Sequence, residues 1–265
     1  MRGRSGKSAG SRLVRTAGAA GTLALLLLTG LVSAGAVTGS ASRGPAVSPQ
    51  AGGNGTAPAP QVSSPMAFDP VDGYAVLLGG STASGPQNVT WTYANGTWTP
   101  QTAVVHTPPA RGAAGFAFDP RLHALVLFGG IATNGTFLND TWTYAHGVWT
   151  ELALPVAPSP RSGPSMVWDS EDGYLLLFGG GTPGSSTLND TWKFVHGHWV
   201  PVTPRNSPPA RRAAGIADDT GDGYVVLFGG YGGPDYNDTW TYSHGHWKKV
   251  HTAIAPSIRV APGVT

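Results

Sequence analysis

The stretch Tyr174-Leu175-Leu176-Leu177-Phe178-Gly179-Gly180, followed after a loop by Thr191-Trp192-Lys193-Phe194 and His196-Gly197-His198-Trp199, decides the fold. It is written four times. Gly-Gly doublets recur at Gly79-Gly80, Gly129-Gly130 and Gly229-Gly230, a stride of fifty residues between neighbouring copies. Each closes an apolar run: Tyr74–Leu78, Leu122–Phe128 and Tyr224–Phe228 in the other copies. Each is followed by Thr90-Trp91, Thr141-Trp142 or Thr239-Trp240, and then by a second Trp at Trp98, Trp149 or Trp247. A period near fifty built from short strands signals a radial or stacked β array rather than one globular core.

Each unit reads as four short strands. The first follows an Arg, as in Arg111-Gly112-Ala113-Ala114-Gly115-Phe116-Ala117-Phe118, alternates small and large residues and ends in an acidic turn such as Asp169-Ser170-Glu171-Asp172-Gly173. Asp and Gly suit the start and the positive-φ end of such a turn. The second strand is apolar on both faces, so it must be sandwiched. Its Gly-Gly fits a bend, or a neighbour too close to admit a Cβ. In the third strand Trp142 and Tyr144 share one face and Thr141 and Thr143 the other, because side chains alternate along a strand. The turns Asn95-Gly96, His146-Gly147, His196-Gly197 and His244-Gly245 suit tight hairpins, and the second Trp follows on the fourth strand. A lone sheet of this kind would leave its aromatic face wet; stacking one sheet on the next buries it. On that reasoning Trp192 is expected to be buried.

The strand ending in Gly-Gly, the aromatic third strand and the Trp about seven residues further on resemble the kelch repeat of galactose oxidase/kelch-type β-propellers. The resemblance covers residues 61–250 and begins again at Arg259. It implies an all-β, kelch-type β-propeller of four four-stranded antiparallel blades, with the first strand innermost. The loops between strands two and three, and those between blades, would share one rim, which in such propellers carries the binding surface. Two features depart from the pattern. Gln61 stands where later units have Arg111, Arg161 and Arg211, and the sequence runs only into the first strand of a fifth unit. Four and a fraction units lead us to expect an open or incomplete arc, fragmentary or completed by another chain, rather than a closed ring. Unpaired terminal blades would favour self-association.

The N-terminus reads separately. Arg2, Arg4, Lys7, Arg12 and Arg15 precede an uncharged stretch, residues 16–42, centred on Leu23–Leu28. This is the pattern of a secretory signal with Ala34-Gly35-Ala36 as a cleavage site, or of an uncleaved N-terminal membrane anchor helix. The expected localisation is therefore exported, either secreted or at the cell surface, with membrane contact only through residues 16–42. The domains expected are a leader at 1–41, a Pro/Gly/Ser/Ala-rich spacer at 42–60 and kelch repeats over 61–265. The repeats divide at about 61–108, 109–158, 159–208 and 209–255, with a partial fifth at 256–265.

The sequence pI of about 9.0 comes from the leader. From Gly44 onward ten Lys and Arg face fourteen Asp and Glu, a net charge of about −4, which argues against nucleic-acid binding. There is no Cys. That removes disulfides and Cys nucleophiles, and it excludes the copper-radical sugar oxidase chemistry found among kelch-type propellers, whose cofactor needs a Cys cross-linked to Tyr. No cofactor and no metal site is expected. The pairs His196/His198 and His244/His246 lack a fixed four-ligand spacing, and the acidic turns lack the closing Glu of a calcium loop. The Arg at the start of each first strand recurs at one phase, which points to blade-to-blade hydrogen bonding rather than a rim of cations. Asn-X-Thr sequons occur at Asn54, Asn88, Asn95, Asn134, Asn139, Asn189 and Asn237, of which Asn54 and Asn134 are the better acceptors.

Positions that break the repeat carry the functional expectation, because loops on a rigid scaffold hold binding specificity. Tyr231, Tyr236, Phe137, His106, Arg205, Arg212 and Asn206 supply aromatic and hydrogen-bonding groups there. The expected function is a non-catalytic interaction module binding protein or carbohydrate. The alternatives are a structural or adhesion component assembling through open blades, and a carbohydrate-active enzyme.

Overall fold

The computed structural model describes residues 57–102, 106–254 and 256–257. The leader, most of the spacer and nearly all of the partial fifth unit lie outside these residues. Blade 1 comprises β1 (Met66–Asp69), β2 (Tyr74–Thr82), β3 (Gly85–Ala94) and β4 (Thr97–Pro100). In blade 2 the first strand is in two pieces, β5 (Arg111–Gly112) and β6 (Gly115–Asp119). These are followed by β7 (Ala124–Ala132), β8 (Phe137–Ala145) and β9 (Val148–Leu152). Blade 3 holds β10 (Ser165–Asp169), β11 (Tyr174–Gly181), β12 (Thr187–Val195) and β13 (His198–Val202). Blade 4 holds β14 (Gly215–Asp219), β15 (Tyr224–Phe228), β16 (Thr239–Ser243) and β17 (His246–Val250).

Every blade is an antiparallel meander in chain order. The first strands β1, β6, β10 and β14 lie side by side around the axis. Each innermost segment opens on a left-handed residue, Ser63, Ala113, Gly163 and Ala213, with φ of 57°, 53°, 59° and 53°. This conformation turns the backbone N–H toward the preceding blade. Ala113 N–H donates to Ser63 O at 2.8 Å, Gly163 to Ala113 at 2.6 Å, and Ala213 to Gly163 at 2.8 Å. The X-Gly turns place both central residues at positive φ, as in His146 (49°) and Gly147 (78°), the conformation that matches the twist of a two-residue hairpin.

At the Gly-Gly doublets the register of the second and third strands shifts, between Phe128 and Gly130 and between Phe178 and Gly180. Gly129 has φ +67°, and a Cβ there would lie 2.9 Å from the carbonyl oxygen of Arg161 in the next blade. Gly130 N–H donates to that same oxygen at 2.8 Å. The doublet is therefore a point of close backbone approach between blades.

Blades pack through three apolar clusters. Val76 and Leu78 of blade 1 meet Phe116, Leu125, Leu127, Trp142, Tyr144 and Trp149 of blade 2, and the pattern repeats at the next two joints. The fully buried indoles are those of the fourth strand, Trp149, Trp199 and Trp247. Trp192 is only partly buried at the margin of its cluster. The expectation of a buried Trp192 is thus corrected. Its indole N–H donates to Asp190 at 2.7 Å, as those of the buried Trp142 and Trp240 do to Asp140 and Asp238. Asp190, however, is the most exposed of the three carboxylates, and this end of blade 3 is the least covered of the three. The Thr face of the third strand is not solvent-facing either. Thr90, Thr141 and Thr191 each accept a 2.9 Å hydrogen bond from the buried Trp of the following blade, Trp149, Trp199 and Trp247.

Among the described residues blades 1 and 4 share no such cluster. Among the described residues the four blades form an open arc whose outer faces, on blades 1 and 4, are not covered by another blade.

Candidate functional site

Because strands alternate in direction, the acidic turns and X-Gly turns lie at one end of the blades. The loops after Gly-Gly and the blade connections lie at the other. On this second rim the repeated Arg is a structural group. Arg111 Nη1 and Nη2 donate to both carboxylate oxygens of Asp140 at 2.6 Å, and Nη1 also donates to Gly129 O at 2.9 Å. Arg161 with Asp190 and Arg211 with Asp238 repeat the fork. The three guanidinium groups are fully buried. Burial alone would raise the Asp140 and Asp238 carboxyls, but hydrogen bonds and charge from Arg111 and Arg211, with the Trp142 and Trp240 indoles, hold both below the usual range.

The expected blade-to-blade role of this Arg is corrected on one point. The side chain bonds within its own blade, and only its backbone bridges blades, through Gly130 N–H to Arg161 O and Gly180 N–H to Arg211 O. In blade 1 both partners change together: Gln61 replaces Arg and Val89 replaces Asp. That paired departure was the available sequence signal for the Arg–Asp fork.

The candidate binding residues fall into separate groups. Tyr231, Tyr236 and Arg212 come together where the loop after β15 meets the start of the first strand of blade 4. The Arg212 guanidinium carbon lies 5.4 Å from the Tyr231 ring centre, and the two backbones exchange hydrogen bonds of 2.8 and 3.0 Å. Tyr236 lies against the buried Arg211, whose guanidinium carbon is 4.0 Å from its ring centre, and its N–H donates to Gly230 O at 2.8 Å. Arg212 also reaches blade 3: a Cβ on Gly181 would lie 3.0 Å from its Cδ. The result is a half-buried cation and two Tyr rings fixed across the mouth of the joint between blades 3 and 4. Arg211 is the member that sequence reading placed in the scaffold and not in this cluster.

Arg205 and Asn206 are exposed and lie elsewhere, lining with His246 and Trp247 a cavity of about 300 Å³ beside the outermost strand β17. Phe137 is half-buried at the tip of β8, paired with Ile131. His106 is exposed in the connection between blades 1 and 2.

On the opposite rim the acidic turns of blades 1 and 3 clasp the next blade. Asp72 Oδ2 accepts the His146 N–H at 3.0 Å and Oδ1 meets His146 Nδ1 at 2.8 Å. Asp172 holds His244 in the same way, at 2.8 and 2.9 Å. The hydrogen bond and charge of Asp172 raise the His244 imidazole above its ordinary pKa. These imidazoles serve a joint between blades. Among the described residues no three His, Asp or Glu side chains converge as ligands for an ion.

Radial four-stranded blades packed face to face around an axis define a β-propeller scaffold. The chain belongs to the Kelch-repeat family: the KLHDC2/KLHL20/DRC7 Kelch-repeats domain matches residues 65–261. No curated protein matches the chain. A Kelch-repeat domain is a protein-interaction module and generally non-catalytic.

Proposed function

We propose that this protein is an exported protein-binding module whose partner docks on the loop rim over blades 3 and 4. The observation that carries this reading is the cluster of Arg212, Tyr231 and Tyr236, stacked in advance of any ligand. Tyr and Arg are the side chains that most often anchor interfaces, and fixing them beforehand lowers the entropy lost on binding. Arg211 is neutralised by Asp238, whereas Arg212 forms no ion pair among the described residues. The cluster therefore favours a partner that presents a carboxylate beside an aliphatic or aromatic group. Export rests on the basic segment and the uncharged stretch at residues 16–42.

Two experiments test the proposal. Arg212→Glu and Tyr231→Ala, each checked for an unchanged far-ultraviolet spectrum, should abolish binding of a partner recovered by affinity capture. Capture unaffected by both would refute the site, and binding to a glycan array in place of protein would refute the partner class. Deleting residues 1–41 should leave the protein inside the cell on fractionation; continued export would refute the leader.

A further inference from the structure

The two ends of the arc are the two halves of the joint that the molecule already makes three times. On the outer face of blade 1, Trp98, Tyr93 and Phe68 occupy the positions of Trp149, Tyr144 and Phe118 in blade 2. Tyr144 is fully buried and Trp149 nearly so, but Tyr93 is 40% and Phe68 58% exposed, and Trp98 is only partly covered. On the outer face of blade 4, Val226, Phe228 and Thr239 occupy the positions of Val126, Phe128 and Thr141, which are buried in blade 2. All three are only partly covered in blade 4.

The halves also match in detail. Where a blade ends its acidic turn in Asp-Gly-Tyr, the next blade has Tyr on its third strand and an X-Gly turn capped by that Asp. Tyr174 and Tyr242 hydrogen-bond at 3.0 Å while Asp172 holds His244. Asp72 holds His146, and Tyr74 packs against the cluster containing Tyr144. Where blade 2 instead has Leu122 and Ala124, blade 3 answers with Phe194, which has no hydroxyl. Blade 4 ends in Asp222-Gly223-Tyr224, so its counterpart needs a Tyr and an X-Gly turn, and blade 1 presents Tyr93 and Asn95-Gly96. Phe178 packs edge-on to Trp247 at 5.1 Å, as Phe128 does to Trp199 at 5.0 Å; Phe228 awaits a Trp and Trp98 is open. Thr239 likewise lacks the indole donor that Thr90, Thr141 and Thr191 receive. Among the described residues the backbone series along the axis leaves the Ser63 N–H at one end and the Ala213 carbonyl at the other.

We propose that two copies of this chain join head to tail, the outer face of blade 4 in each seating on the outer face of blade 1 in the other, to close a ring to which each copy contributes its four described blades. The joint is heterologous, and such joints give rings when the rotation closes. Two sets of four blades fall within the range that propellers adopt. At each of the two seams Trp98 donates to Thr239, Tyr93 meets Tyr224, and Asp222 caps the Asn95 turn. This inference does not depend on the rim reading, since it uses none of its residues.

The test uses the full chain and two arginine variants, Tyr93→Arg and Val226→Arg, each on a surface only partly covered in one copy. Native mass spectrometry should give twice the 27.2 kDa chain mass for the unaltered protein. Each variant alone should shift the dissociation midpoint upward by more than about tenfold, a change of roughly 1.4 kcal/mol. Mixing the two variants should restore a mixed dimer, because one seam then has both faces intact. A monomer throughout the micromolar range would overturn the proposal, as would a dimer that persists in both variants or failure of the mixture to pair. A monomer whose Trp98 is shielded by the chain's own terminal residues would overturn it too.

Discussion

Replacing Thr141 by Val tests the joint between blades at a single atom. Trp199 donates its indole N–H to Thr141 Oγ1 at 2.9 Å, and both side chains are nearly inaccessible. Valine keeps the volume but supplies no acceptor, so the N–H stays buried and unpartnered. That loss costs about 1–3 kcal/mol. For a chain of this size it corresponds to a fall in melting temperature of roughly 2–12 °C. The repeat provides its own control. Thr239→Val makes the same chemical change on the same strand of blade 4, where no indole donates, and should move stability by less than about 0.5 kcal/mol. Urea unfolding followed by tryptophan fluorescence, at concentrations low enough to keep the chain monomeric, reads both. A cycle with Trp199→Phe should give a coupling of about 0.5–1.5 kcal/mol, because the double variant removes donor and acceptor together. Equal effects of Thr141→Val and Thr239→Val, or a coupling of zero, would refute the claim that this hydrogen bond joins the blades.

Three further outcomes follow from the same geometry. Arg111→Gln leaves the Asp140 carboxylate without its fork and should cost about 3–5 kcal/mol by urea unfolding. Adding Asp140→Val, which recreates the Gln61 and Val89 pair of blade 1, should recover part of that loss; no recovery would refute the coupling. Gly129→Ala forces a Cβ to within 2.9 Å of Arg161 O at φ +67° and should destabilise by more than about 1 kcal/mol, as a small shift in melting temperature would disprove. Burial pushes the Asp169 carboxyl up to about 6, with the charges of Asp172 and Asp218 adding to it. The folded state therefore keeps this proton between about pH 4 and 6, where the unfolded chain has lost it, and stability from this group falls as pH rises through that window. Asp169→Asn should remove that fall, so its stability relative to the unaltered protein should climb from pH 4 to pH 6; a constant difference would refute the assignment.

The radial architecture was legible because its signals are periodic. The Gly-Gly stride, the Thr/aromatic alternation and the second Trp give four short strands per unit in a repeating array, and the kelch resemblance they carry implies blades with the first strand innermost, all without reference to distant contacts. What escaped lies between residues far apart in sequence. Arg111 reaches Asp140 across the width of one blade, and its constant phase was equally compatible with a bond to the neighbour. Trp192 and Trp199 are both tryptophans in strands, and only the packing of blade 3 on blade 2 separates the half-buried ring from the buried one. The loop residues were picked for their chemistry, yet proximity joined Tyr231, Tyr236 and Arg212 in one group and Arg205 and Asn206 in another, and left Phe137 and His106 apart. Loop course sets that grouping, and the repeat says nothing about loops that differ in every copy.

The Trp–Thr hydrogen bonds and apolar clusters tie each blade only to its immediate neighbours. Cohesion in such an arrangement is a sum over adjacent pairs, and a unit with one neighbour holds less firmly than a unit with two. Unfolding in a single copy should therefore start at the extremities and travel inward, with amide exchange fastest in the outer units and slowest around Leu125–Phe128 and Leu175–Phe178. Proteases would then trim the molecule from its ends before cutting its middle.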